Sequence, residues 1–396
     1  MKVFAQHGHQ PSDKITRGLE EGAIDGVIFS SRYLNPDKVQ EKLDDAYLAN
    51  PAAEILIDSE FYASRLKGTP NSQLGYLERQ SYLKTYRRRD LVRTEVVERA
   101  LREVYQSVRY LPVTAHIAPN IYVSQSFDSM EAGIALNFIE RAKSVFGDSK
   151  KPVYATLAVD RRALLSPSDF LSFLNDVTAL GTAPEGFYLL VGGGSITERS
   201  DLVQSEIMDA NVLGGWMMIN FSLAQNGFKV INGFADVLTP FLSAAGATAC
   251  ATGWWSNLRT FSMGRYVKPE GAGGQLPIVR YLSKLLLNRL RIDELSYAAV
   301  VPGIINGLSS DDEYLNGIPG RTTEALQTWE ALSSLNSNVS DQLEVSLANL
   351  LDLIAQAYTA YSTLTTYGIT AGYETATEYL DQLSGGIEVF RRLAEI

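Results

Sequence analysis

Asp58 and Glu60 are the residues of this chain best placed, by type and spacing, to do chemistry. They close the run Glu54-Ile55-Leu56-Ile57-Asp58-Ser59-Glu60-Phe61-Tyr62-Ala63-Ser64. An apolar strand ends in one carboxylate, with the second two residues on. The C-terminal end of a buried parallel strand is where α/β folds place reacting groups. Two carboxylates there can divide acid–base work, one stabilising positive charge on a sugar or activating water while a glycosidic bond breaks. Asp160 ends another apolar run and precedes Arg161-Arg162, which makes it a second acid or an ion-pair partner.

The three histidines, His7, His9 and His116, also fall near predicted strand ends. His7 and His9 at i, i+2 point one way if the strand continues, and with His116 and Asp58 they would form a metal set. Gly8 between them signals a loop, and the alternative is three hydrogen-bonding histidines that position a substrate. Asn120 belongs with that substrate-binding group. Gly192-Gly193-Gly194 lets a backbone approach a base edge or a phosphate, or simply makes a tight turn. Trp254 and Trp255, with Asn257, Arg259, Arg265, Tyr266 and Lys268, mix stacking surfaces with cations, which suits nucleotides. Packing beneath the C-terminal helices is the alternative for one of the two tryptophans.

These residues need a scaffold that gathers strand ends. Strands are predicted at 2–6, 26–30, 54–58, 113–117, 153–159, 186–191, 229–232 and 247–252. Helices are predicted near 12–21, from Pro36, and near 129–146, 166–179, 198–226 and 236–245. Eight strands with helical returns predict a (β/α)8 barrel over 1–274. An open doubly wound sheet is the alternative. An insertion at 59–110 is helical over about 76–107. The remainder, 275–396, reads as a helical C-terminal extension, with periodic segments at 277–289 and 338–366.

Charge is distributed unevenly. The 396 residues carry a net charge of −10, yet residues 65–110 hold eleven Lys or Arg against five acids. Lys84, Arg87, Arg88, Arg89 and Arg93 crowd one part of that segment, which is either a polyanion grip or a solvated basic helix. Cys250 is the only cysteine, which excludes an internal disulfide and a cysteine-rich zinc site and points to a cytoplasmic setting. No apolar run predicts a membrane span, and the start of the chain is too polar for a signal peptide.

Residues 55–62 resemble the strand of the tRNA-guanine transglycosylase superfamily that ends in a catalytic aspartate. The stretch 186–194 is similar to that superfamily's Gly-Gly turn, and Asn257-Leu258-Arg259 follows its order. The resemblance spans about residues 1–265. It implies a barrel that breaks an N-glycosidic bond between a base and a nucleic-acid sugar. This chain departs from the pattern: Glu60-Phe61 replaces a glycine pair, the end of strand 8 (Ala249-Cys250-Ala251-Thr252) carries no nucleophilic aspartate, and the zinc cysteines are missing. The resemblance therefore implies hydrolysis rather than base exchange. Asp58 would be the main catalytic group and Glu60 or Asp160 the second. A modified DNA base, flipped into the barrel mouth, would be the substrate. DNA is expected over RNA, with no cofactor, no resident metal, and a phosphate grip from Lys84, Arg87–Arg89, Arg93 and Arg259. The C-terminal helices are read as a surface for self-association. Two rivals remain from the sequence: a metal-dependent barrel hydrolase of a small phosphorylated or sugar substrate, and a barrel without catalysis that serves as a binding subunit.

Overall fold

A computed structural model describes residues 1–9, 12–147, 149–195, 207–268, 278–369 and 376–396. Eight parallel strands form a barrel: β1 (Lys2–Gln6), β2 (Gly26–Ser30), β3 (Glu54–Asp58), β4 (His116–Ala118), β5 (Val153–Asp160), β6 (Gly186–Gly193), β7 (Lys229–Gly233) and β8 (Ala249–Thr252). Hydrogen-bonded neighbours run β3-β2-β1-β8-β7-β6-β5-β4, so the first and last strands of the barrel meet side by side. Runs such as Ile55-Leu56-Ile57 are apolar throughout because helices cover one side of the wall and the barrel interior the other.

The ring has one seam, between β3 and β4, and Thr114 bridges it. Its N–H donates to the Ile55 carbonyl at 2.9 Å. Its hydroxyl accepts from the Ile55 N–H at 2.9 Å and lies 3.1 Å from the same carbonyl. Thr114→Val keeps the shape but removes the acceptor of a partly buried N–H. The expected loss is about 1–3 kcal/mol, read from urea midpoints; an unchanged midpoint contradicts this account of the seam.

The outer helices are α1 (Lys14–Glu20), α2 (Val39–Ala49), α3 (Thr94–Val108), α4 (Met130–Phe146), α5 (Pro167–Thr178), α6 (Ala210–Gln225) and α7 (Thr239–Ala244). Their starts follow local chemistry. Asn35 accepts from the Asp37 N–H, with Pro36 in the first turn of the short helix before α2. Ser129 accepts from the Ala132 N–H and caps α4. Of the helix expected over 198–226, α6 covers 210–225, and 196–206 lies outside the described residues.

The C-terminal segment differs from the all-helical expectation. Arg280–Ser283 (β9) and Asn288–Arg291 (β10) pair antiparallel as a hairpin where a helix over 277–289 was expected. Leu285, Leu286 and Leu287 mimic a helical stripe, but Leu287 takes a positive φ of 50° in the turn. Then α8 (Arg321–Asn336) lies against α1, α7 and β1, in the place of the barrel's eighth outer helix. Trp329 is fully buried there and donates to the Thr252 carbonyl at 3.1 Å. The last helices are α9 (Leu343–Thr366) and α10 (Ala376–Ala394), and α10 packs along α6 and α9. Leu380, Leu383, Ile387 and Phe390 of α10 are buried within the chain.

Candidate functional site

The interior of the mouth is set by strand alternation. Tyr188 on β6 donates to the Gln6 side chain on β1 at 3.3 Å. These strands are not neighbours, so the bond crosses the barrel. Ser30 and Asp58, at the ends of β2 and β3, share this inward parity, since Gln6 pairs with Ile28 and Ser30 with Asp58.

Asp58 and Glu60 are both inside. One Asp58 oxygen accepts from the Glu60 N–H at 2.8 Å and the other from the Tyr62 hydroxyl at 2.7 Å. One Glu60 oxygen takes the Ser30 hydroxyl at 2.9 Å and the Arg32 N–H at 2.8 Å; the other takes the Tyr266 hydroxyl at 2.9 Å. Glu60 adopts φ 50°, a left-handed conformation that costs a non-glycine residue free energy and that collects at functional sites. Burial, then the Glu60 carboxylate, raises the Asp58 pKa to about 7 despite the hydrogen bonds it receives.

Two arginines flank this pair. Arg265 stands over the Phe234 ring at 4.6 Å, and among the described residues none of its guanidinium nitrogens has a hydrogen-bond partner. Arg32 stands 4.8 Å over Tyr33 and 5.1 Å over Tyr266, with Nε and one Nη unpartnered. Buried guanidinium donors without acceptors are costly, and here they sit beside two acids. The cluster is closed in this structure: Asp58 is 2% exposed and Glu60 1%. The open carboxylate expected from sequence is therefore corrected to a covered one.

Asp160 belongs to a separate arrangement. Arg162 holds it through Nε at 2.8 Å and Nη2 at 2.9 Å, and the Gly194 N–H donates at 2.9 Å. Burial alone would raise its pKa, but the Arg162 bonds outweigh that and lower it. It is an ion-pair anchor rather than a second acid. Beside it an open cleft of about 470 Å³ is lined by Arg65, Ser124, Gln125, Arg162, Gly194 and Ser195. The glycine run serves packing more than ligand approach. A Cβ on Gly192 would stand 2.0 Å from the Phe261 carbonyl, because the two-residue strand Phe261–Ser262 pairs with β6 there. Gly193 pairs with Ser262, while the Gly194 carbonyl accepts from Arg65 at 2.5 Å.

The histidines are dispersed, against the metal set read from their spacing. His7 follows Gln6 and points out of the barrel, 5.2 Å from the Phe29 ring, with Nδ1 accepting from the Ser30 N–H at 3.4 Å. Burial and Lys42 lower its pKa to about 4. His9 is exposed beside Tyr33. His116 opens β4 instead of ending it, at the opposite rim, between the rings of Tyr105 and Phe146. Among the described residues no group of three His, Cys, Asp or Glu side chains is placed to hold a metal ion. Asn120 spends its amide on the Ala135 and Thr156 carbonyls and its oxygen on the Ile121 N–H, so it braces backbone instead of binding substrate.

The basic segment leaves the barrel directly after Glu60. Lys84 pairs with Glu103 at 2.6 Å, Arg88 with Glu131, and Arg93 with Asp90 at 3.7 Å. Arg87 and Arg89 are exposed and make no ion pair among the described residues. The segment sits at the rim of the mouth, because Glu131 also binds the Ser124 hydroxyl, which lines the open cleft. Arg259 does not belong to this surface. It is 7% exposed and lines a second cavity with Trp254 and Trp255.

Tyr62, Arg265 and Tyr266 stand out in the sequence as aromatic and basic groups, but nothing in their local pattern pairs them with a carboxylate. Ser30 carried no signal at all. Arg280, Arg289, Arg321 and Glu324, around the second cavity, were missed because they come from the segment read as a helical extension.

No protein-family model matches the chain, and no curated protein matches it. Solved structures do resemble it. One is a fungal multi-domain β-N-acetylglucosaminidase with a glucosamine N-acetyltransferase region, at 10% identity and TM-score 0.40, covering 98% of this chain and 42% of that one. Another is the carboxyl transferase domain of Rhizobium etli pyruvate carboxylase, at 10% identity and TM-score 0.35, covering 100% and 61%. A third is nitroalkane oxidase from Streptomyces ansochromogenes, at 12% identity and TM-score 0.30, covering 91% and 97%. The chain thus spans less than two thirds of the first two. None of the three is described as a transglycosylase. The fold class rests on the strand order itself: the chain is a (β/α)8 barrel. Among the described residues no helix is long and apolar enough to cross a membrane.

Proposed function

We propose that the chain is a nucleic-acid glycosylase that hydrolyses the N-glycosidic bond of a modified DNA base, with Asp58 as its acid–base group. The observation that carries the reading is Asp58 itself, raised to about 7 beside the unpartnered guanidinium of Arg265. A carboxyl poised near neutrality can give or take a proton at working pH. Arg265 and Arg32 offer N–H donors of the kind that read a base edge. The exposed Arg87 and Arg89 and the cleft between Arg65 and Arg162 lie on the same rim and suit a sugar–phosphate strand. Because Asp58 is covered, the reading requires the residues over it to move before a flipped base reaches it.

The test is incubation with naturally hypermodified phage DNA against plain DNA, scoring alkali-labile breaks. Breaks in the modified DNA that depend on Asp58 are expected; their absence across a panel of modified bases overturns the reading. Arg87→Glu with Arg89→Glu is expected to weaken DNA binding about ten-fold or more and to flatten its salt dependence. Binding measured by fluorescence anisotropy at two salt concentrations checks this.

One observation favours a second reading, a barrel that binds without catalysis. Each oxygen of Asp58 and Glu60 already has an internal donor, so the pair can equally plug the barrel. In that case Asp58→Asn leaves every ligand-binding property unchanged, and no DNA is cut.

A further inference from the structure

The second cavity, of about 210 Å³, lies between the loops after β7 and β8 and the β9–β10 hairpin. Arg259, Arg280, Arg289 and Arg321 line it together with Glu324, Trp254 and Trp255. Among the described residues, Asp236 and Glu324 pair with arginines here. Asp236 takes both terminal nitrogens of Arg289, at 2.5 Å each. Glu324 meets Arg321 at 2.5 Å and Arg259 at 3.8 Å. Among the described residues, three nitrogen groups at the cavity have no hydrogen-bond partner: Nε of Arg259, Nε of Arg289 and the Trp254 indole N–H. Their residues are 7%, 6% and 4% exposed. Buried donors without acceptors are costly unless a ligand supplies the acceptors, and burial together with Arg289 lowers the Arg259 pKa to about 10.

We infer that this cavity binds a small phosphate-bearing ligand, a phosphate monoester or free phosphate. Guanidinium forks match phosphate oxygens bidentately. The volume is below that of pockets for drug-sized ligands, so a terminal phosphate fits and a nucleic-acid strand does not. The rim after strands 7 and 8 is where (β/α)8 barrels commonly hold phosphate. Trp255, with Arg321 5.4 Å above its ring, provides a flat wall for the remainder of the ligand.

The experiment reads binding and not cleavage, so it stands apart from the Asp58 reading. The full chain is titrated with inorganic phosphate, with ribose 5-phosphate, and with an oligonucleotide lacking terminal phosphates. Thermal unfolding is followed at constant ionic strength set with sodium chloride. A saturable rise in Tm with phosphate or ribose 5-phosphate that falls in the cavity variants is expected, whereas any rise with the oligonucleotide is expected to be the same in wild type and those variants. The stronger of the first two tells whether the ligand is free phosphate or an ester. Arg259→Gln is expected to raise Kd about ten-fold or more. Arg321→Gln, at a more exposed position, is expected to act in the same direction and guards against a folding defect in the first variant. No shift beyond chloride, or a shift that both variants retain, overturns the inference.

Discussion

Asp58→Asn is expected to remove base release while making the protein more stable above neutral pH. The first effect follows from the proposed acid–base role, and loss of such a group lowers rates by about 10²–10⁴-fold. The second follows from burial together with the neighbouring Glu60 carboxylate. The Asp58 pKa is raised to about 7 from its ordinary value of 3.8. Between these two values the folded protein holds a proton that the unfolded chain has released. Wild-type stability therefore falls as pH rises through that window and levels off above about 7. The full penalty for a shift of this size is about 4 kcal/mol at most. Asparagine avoids it, keeps an oxygen for the Glu60 N–H, and leaves the Tyr62 hydroxyl a neighbour. The gain over wild type should grow from pH 4 to pH 7 and then stay level. Urea midpoints across this range, alongside abasic-site assays, provide the check. A variant that still releases base sinks the catalytic role, and a gain independent of pH sinks the burial argument.

Asp236→Asn is expected to cost about 3–5 kcal/mol, the usual result of stranding one member of a buried ion pair. Asp236 follows β7 at φ 45° and binds both terminal nitrogens of Arg289 on β10. It ties the hairpin to the barrel, and neither side chain reaches water freely. Without its charge, Arg289 stays buried and uncompensated. Replacing both residues, Asp236→Asn with Arg289→Met, should recover most of the loss, since no isolated charge then remains. A double-mutant cycle in urea measures the coupling. A double variant no more stable than Asp236→Asn alone contradicts the account.

The barrel was legible because its strands are continuous apolar runs separated by helical returns, as in Ile55-Leu56-Ile57 and Phe187-Tyr188-Leu189-Leu190-Val191. The position of Asp58 at a strand end followed directly. His116 misled because the apolar run 113–117 looks like a strand, whereas Thr114 pairs sideways across the seam and the strand begins only at His116. Burial of Glu60 was not readable either, since its donor Tyr266 lies 206 residues away. The hairpin failed for a local reason: Leu285-Leu286-Leu287 has helical composition, and only the tertiary tie from Arg289 to Asp236 reveals a turn there. The arginine cavity depends on that same hairpin, so it stayed hidden with it.

The late arrival of α8 has a consequence for synthesis on the ribosome. β1 is the first strand made, yet the helix that lies against it, with Trp329 bonded to the last strand of the ring, is translated more than three hundred residues afterwards. Until then one flank of the nascent barrel is bare apolar wall. A chain stopped at residue 274 would keep that flank exposed, and it should depend on chaperones or aggregate where the whole polypeptide does not.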